Sequence, residues 1–404
     1  ELYNDTTLQQ LIHRALTYNK DLKIASARMN ELAALKRVDF ANMFPQATAR
    51  LNGNRETTNY GGDKFDADSE LSLTASISWE LDLWGNLRWA RDRSTAEFLA
   101  SVENCRAVKM GLVAQVAQSY FELMALDNEL AIVRRTLEAR REGVRLAEIR
   151  FKGGLTSEIV FQQAKVELAK TATMVPDLER RISLKESEIA LLTGDFPYAV
   201  NRNILPEEIQ LPNALPLGLP STLLERRPDI RKAERELMAA HAEVGLAYTN
   251  MFPRLALTAT LGTESETLRD FLKSPYSYLA GNLLSPLFAM GKNRAALKAK
   301  RAAYEGAVAE YEQTVLTAFK ETHDAIINFN KIKDIYESRR QLAEASRTAV
   351  ELAQLQYING VIGYLDLLDA QRNYFDAQVS LSNAVCNKQL MIINLYKALG
   401  GGWK

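Results

Sequence analysis

The sequence predicts an α+β chain made of two copies of one unit, each a β-hairpin followed by a long helical hairpin. Three observations carry this expectation. No proline falls between Pro45 and Pro176 or after Pro286, whereas six crowd between Pro197 and Pro228. Interior proline costs a helix about 3 kcal/mol, so the proline-free spans can hold very long helices and the cluster reads as a connector. Landmarks also recur at a nearly fixed offset. Asp21, Leu22, Ala25 and Met29 precede Asp229, Ile230, Ala233 and Leu237 by 208 positions, as Met43-Phe44-Pro45 precedes Met251-Phe252-Pro253. Gly85, Arg88, Phe151, Gly154 and Ala164 precede Gly291, Arg294, Tyr357, Gly360 and Ala370 by 206. Finally, every odd position from Leu71 to Leu83 is apolar and every even one between them is polar, which is the period of a strand with two unlike faces.

Each element follows in order. Leu8, Leu11, Ile12, Ala15 and Leu16 keep helical spacing, with Asp5 or Thr6 as the N-cap, and the helical pattern runs on toward Ala41 before Phe44-Pro45. A strand is expected over Gln46–Arg55, turning through Asn59-Tyr60-Gly61-Gly62-Asp63 into the alternating strand Leu71–Leu83. At ~3.3 Å per residue that strand would be about 40 Å long. A helix from Asn86 to Phe151 would reach roughly 100 Å; it ends at Gly153-Gly154, and a return helix follows. The second copy repeats this with a helix from Asp229, a hairpin over 254–287, a helix from Lys292 to Tyr357 and a tip at Asn359-Gly360. The expected organisation is a first repeat over 1–200, a connector over 201–228 and a second repeat over 229–404.

Composition limits the function. Fifty basic and fifty acidic side chains balance, which argues against a nucleic-acid binder. No apolar run suffices for a transmembrane helix, and two cysteines exclude a disulfide scaffold. Averages do not exclude a membrane β-barrel. A tilted strand needs about 9–11 residues to cross a bilayer, and four strands alone cannot close a barrel without an open edge. Copies of the chain must then pool strands, with two, three or four copies all open on periodicity alone. A soluble helical scaffold with a β-hairpin clamp is the competing reading from a different class.

Several segments resemble a known family. Leu223-Leu224-Glu225-Arg226-Arg227-Pro228-Asp229-Ile230, Met251-Phe252-Pro253, the run from Tyr364 to Arg372 and the run from Leu395 to Trp403 together are similar to the outer membrane factor (TolC-like) family, efflux branch. The resemblance implies an α+β membrane protein: a homotrimeric 12-stranded β-barrel in the outer membrane, four strands per chain, continuous with a long α-helical barrel in the periplasm. It implies an exit duct for drugs or other small exported molecules, partnered by a periplasmic adaptor and an inner-membrane transporter and surrounded by outer-membrane lipid. A duct for protein secretion is the alternative within transport, against which the segments at Leu223–Ile230 and Leu395–Trp403 speak. Efflux-type members also begin with a signal peptide and a lipidated cysteine; the sequence opens at Glu1, in the region of the first helix.

Such a duct needs a wall and a gate. The resemblance places the constriction at Leu365, Asp366 and Asp369, which helical spacing sets on one side of their helix. Three-fold symmetry would turn each aspartate into an acidic ring, which favours cations. The first copy has Val160 and Gln163 in place of the two acids. The tips Gly153-Gly154-Leu155 and Asn359-Gly360-Val361 match the family's adaptor-docking positions, although turn chemistry alone would also place glycine there. Trp79, Trp84, Tyr276 and Tyr278 are expected as an interfacial girdle. His13, His241 and His323 lack metal-ligand spacing, no nucleophile or phosphate-loop motif is present, and no cofactor or catalytic residue is expected.

Overall fold

A computed structural model describes residues 5–58, 66–202, 225–265, 270, 273–286 and 288–401. Its elements are α1 (Thr6–Tyr18), α2 (Lys20–Ala41), β1 (Gln46–Thr58), β2 (Asp66–Leu81), α3 (Asn86–Lys152), α4 (Glu158–Thr193), α5 (Pro228–Thr249), β3 (Arg254–Ser265), β4 (Pro275–Leu284), α6 (Lys292–Ile358) and α7 (Tyr364–Ala398). Helices α3 and α6 each run for 67 residues. The expected turn at Asn59–Asp63 and most of the connector, 203–224, lie outside the described residues.

The expected opening helix is two helices. Asn19 leaves the helical conformation between them, because its side chain is engaged elsewhere. Its Nδ2 donates to the Leu192 carbonyl at 3.0 Å, and its Oδ1 accepts from the Leu22 N–H at 3.0 Å. A buried asparagine that serves one backbone and caps another stops the first helix and starts the second. At the other end of α1 the cap is Asp5, whose Oδ1 accepts from the amides of Thr7 and Leu8 at 2.8 and 3.1 Å.

The chain divides into two compact units, and neither is a sequence half. One unit comprises Glu1–Ala25, Cys105–Pro228 and Val315–Lys404. Its core joins α1 (Leu8, Leu11, Ala15), the middle of α3 (Val116 to Val133), α4 (Leu178, Ile182, Ile189, Leu192) and α7 (Val385, Ile393) around the buried Tyr120. Two sequence segments singled out above meet in this unit. Arg227 donates to Glu321 Oε2 at 2.6 Å and to the Ala398 carbonyl at 3.3 Å, so it serves the C-terminal end of α7. Gly400 has φ +75°, and a Cβ there would lie 3.1 Å from the Arg226 carbonyl group. Glycine is required on both counts.

The other unit comprises Ser26–Asn104 and Asp229–Thr314. Its four strands form one antiparallel sheet in the order β1-β2-β3-β4, with the two expected hairpins side by side. The hairpins are joined by β2 and β3, from Leu71↔Ser265 to Leu81↔Leu255. Below the sheet Arg93 of α3 donates to Glu243 of α5 at 3.0 Å and to Asp39 of α2 at 3.4 Å, and Lys300 of α6 reaches Glu243 at 2.8 Å. Four helices are tied by this ionic cluster. Desolvation alone would raise the Glu243 pKa, but Lys300 and Arg93 hold it below the usual carboxylate range.

Much of the apolar surface has no cover within one chain. Leu51, Ile77, Leu261, Leu279 and Leu283 lie exposed on the sheet. Along α6 the exposed residues include Leu316, Ile327, Leu352 and Leu355. No helix among the described residues is long and apolar enough to cross a membrane.

Candidate functional site

The two helical hairpins turn by the same backbone device. At the first tip the Gly154 N–H donates to Phe151 O at 3.0 Å and the Leu155 N–H to Arg150 O at 2.8 Å. At the second, Gly360 donates to Tyr357 O at 3.1 Å and Val361 to Gln356 O at 2.9 Å. Both bond pairs close a helix C-terminus through a left-handed glycine, Gly154 at φ +71° and Gly360 at φ +73°. Each turn leaves an apolar side chain, Leu155 or Val361, prominently exposed.

The return helices then differ. Gly363 is the N-cap of α7, and its N–H donates to Asp366 Oδ2 at 3.0 Å. The carboxylate at the third helical position thereby satisfies the backbone amide of the cap residue itself, one half of a capping box. Ser157 holds the corresponding position before α4 but makes no side-chain cap bond, and Val160 offers no carboxylate. Asp369 Oδ2 accepts from Asn373 Nδ2 at 3.2 Å. Leu365 is 60% exposed, and Asp366 and Asp369 are also exposed, while Leu367 and Leu368 turn inward and are buried. The three expected constriction residues therefore stand on the outward side of α7.

A polar network behind this segment escaped the sequence reading. Arg372 of α7 donates to Glu167 of α4, and Arg140 of α3 donates to Gln371 Oε1 at 2.5 Å. Glu167 is only 6% exposed, yet the Arg372 hydrogen bond holds its carboxyl below the usual range. Burial pushes the Arg140 guanidinium down and the Tyr364 phenol up. Tyr364 also meets the Tyr357 ring edge-on, with centroids 5.8 Å apart, and Arg150 lies 4.7 Å over Tyr357. A cavity of about 330 Å³ opens beside the network, lined in part by Arg140, Gln371, Tyr374 and Phe375. One signal was available. Arg140, Glu167 and Arg372 have uncharged counterparts in the other copy, Ser346, Asn373 and Val166.

The four aromatics expected as one girdle do not share a face. Trp79 lies on the apolar face of β2, and its indole N–H donates to Met43 O at 3.0 Å. Trp84 lies beyond the strand, donates to Pro253 O at 2.9 Å and stacks on Phe252 with centroids 5.0 Å apart. The register pairs Tyr276 with Gly262 and Tyr278 with Thr260, which puts both tyrosines on the polar face, opposite Leu279. The register thus separates the tyrosines from Trp79; β4 carries apolar residues on both sides, so only its pairing with β3 reveals which side is which.

No metal-binding cluster occurs among the described residues. The family model for outer membrane efflux proteins matches residues 11–195 and 219–401. The chain is 32% identical over 412 residues to the solvent efflux pump outer membrane protein SrpC of Pseudomonas putida, covering 100% of this chain and 87% of that protein. It is 32% identical over 413 residues to the outer membrane protein OprJ of Pseudomonas aeruginosa, covering 99% and 85%. Its fold matches the solved outer-membrane channel OprN with TM-score 0.93 and 31% identity, over 100% of this chain and 92% of that one. The chain belongs to the outer membrane efflux protein family and is an outer-membrane efflux channel with that family's fold.

Proposed function

We propose that three copies of this chain pool their strands into a twelve-stranded barrel and conduct small exported molecules passively across the outer membrane. The observation that carries this is the sheet. Across β1 to β3 it is mostly apolar on one face and polar on the other, and among the described residues its outer strands β1 and β4 each pair with a single neighbour. A bilayer does not tolerate such edges, and joining β4 of one copy to β1 of the next removes them. The uncovered apolar residues of α6 support the same association among the helices. The family resemblance supplies the number three.

In this reading Leu365, Asp366 and Asp369 of α7 converge as the constriction, and the Arg372–Glu167 pair anchors α7 to α4 behind them. The exposed tips at Leu155 and Val361 receive the hairpin of a periplasmic adaptor, which couples the duct to an inner-membrane transporter. Trp79 and Trp84 lie at the boundary between sheet and helices, where indoles suit a lipid interface. The similar protein SrpC is named for solvent efflux, and small apolar molecules are a matching cargo class. No catalytic group takes part. Solution mass in detergent tests the assembly: a trimer is expected, and a detergent-free monomer would exclude the barrel. Purified trimer should also give discrete conductance steps in planar bilayers.

A further inference from the structure

The polar face of the sheet carries more than hydroxyls. Following the pairing across the four strands, Thr48, Ser76, Thr260 and Tyr278 form one row, and Arg50, Thr74, Gly262 and Tyr276 form the next. Ser76 and Thr260 are hydrogen-bonded side chain to side chain at 2.9 Å. A Cβ built on Gly262 would lie 2.8 Å from Tyr276 Cζ, so the Tyr276 ring lies against the bare backbone and any larger residue at 262 would displace it. Tyr276 is 39% exposed and Tyr278 59% exposed, so both rings are open to that face.

Beyond these rows the same face turns acidic. Glu264 is paired with Ser72, Glu70 with Asn54, and Glu56 lies one row further, all at even positions and all exposed. Packing explains only part of this. An aromatic ring laid over a strand glycine is a known way to cover it, which accounts for Tyr276. Tyr278 stands opposite Thr260, where there is no glycine to cover.

With the barrel closed as proposed above, on which this inference rests, the apolar face meets lipid and this face lines the passage. We infer that Tyr276 and Tyr278, with Glu264 and Glu70 in the rows beyond them on the same face, form a recognition surface inside the barrel for organic cations that carry aromatic rings. The tyrosine faces attract a cation through their quadrupoles and stack on its rings. The carboxylates raise the local concentration of cations. Each contact is weak and water-exposed, which suits a passage in which a solute must enter and also leave.

Block of single-channel current in planar bilayers tests the inference, with tetraphenylphosphonium and tetrabutylammonium as probes of equal charge, only the first aromatic. In the Tyr276→Leu/Tyr278→Leu variant the tetraphenylphosphonium concentration for half-block should rise about tenfold, and that for tetrabutylammonium less than about twofold. The double Phe variant should behave as the parent. Tyr278→Leu alone leaves the ring on Gly262 undisturbed and should show a smaller shift of the same selectivity if the double variant fails to insert. Equal shifts for both probes, or none, would overturn the inference. The orientation is checked separately by adding a membrane-impermeant thiol reagent to trimers in vesicles. Tyr278→Cys should react above the level of the parent chain and Leu279→Cys should not; the reverse would show that the barrel reading itself is wrong.

Discussion

The two hairpin tips have the same backbone and different chemistry. Both close with the same pair of hydrogen bonds around a left-handed glycine, yet only the second is followed by a carboxylate that returns to its own cap. Likewise only the second return helix carries Arg372, whose partner Glu167 lies on the first. The lesson is that the turn is common property of both hairpins, while the charges divide labour between them. One hairpin bears the exposed acids, and the other bears the buried acid that holds the first in place.

The largest effect expected from breaking this division is on conductance. Asp366→Ala together with Asp369→Ala should raise single-channel conductance by roughly twofold or more, by removing charge and side-chain bulk from the proposed constriction. The mirrored change, Val160→Ala with Gln163→Ala, should leave it nearly unchanged. Equal responses would show that the hairpins are not specialised. Next comes Arg372→Ala, which leaves Glu167 in its buried site without its strongest donor. The loss should be about 1–3 kcal/mol in denaturant unfolding, and Arg372→Lys should recover part of it. Because Arg372 is itself half exposed, the lower part of that range is expected.

Gly154→Ala and Gly360→Ala should each cost about 1 kcal/mol, since both positions need positive φ. The equality of the two losses is the point to check by thermal scans. The smallest effect comes from grafting the missing cap. Val160→Asp should stabilise the first tip by a few tenths of a kcal/mol, and Asp366→Val should take a similar amount from the second. The pH response sharpens the comparison further. The folded pKa of Glu167 is lowered from 4.5, so the pair contributes fully above the unfolded value and is lost as pH falls through the lower folded one. Acid unfolding of Glu167→Gln should accordingly lack that component.

How much of this was legible in the sequence depended on whether the signal was local. The limits of α3 and α6 follow from absent prolines and terminal glycines, and both lie within one residue of expectation. The alternation from Leu71 marked β2 correctly because one face is uniformly apolar, although the strand begins earlier, at Asp66, and ends at Leu81. The break at Asn19 was hidden, since the side chain that enforces it acts on Leu192, 173 positions away. The joining of the hairpins through β2 and β3 is equally nonlocal. The face of Tyr276 and Tyr278 was hidden for the same reason: Tyr278, Leu279, Leu283 and Leu284 put apolar groups on both faces, and the partner strand decides. The proposed constriction residues lie in a family segment, whereas Arg140 and Glu167 belong to no such segment.

The bond from Trp79 to Met43 has a consequence for errors in assembly. A strand pair can slip by one residue at little cost to its own backbone hydrogen bonds, but side chains alternate, so each slip exchanges its two faces. In this sheet a single step of β1 against β2 would turn Leu51 toward water and Arg50 toward lipid. Trp79 sits on β2 and Met43 in the turn that feeds β1, so the indole measures the offset between the two strands before they reach the bilayer. The tryptophan is thus a ruler for which side of the wall is inside.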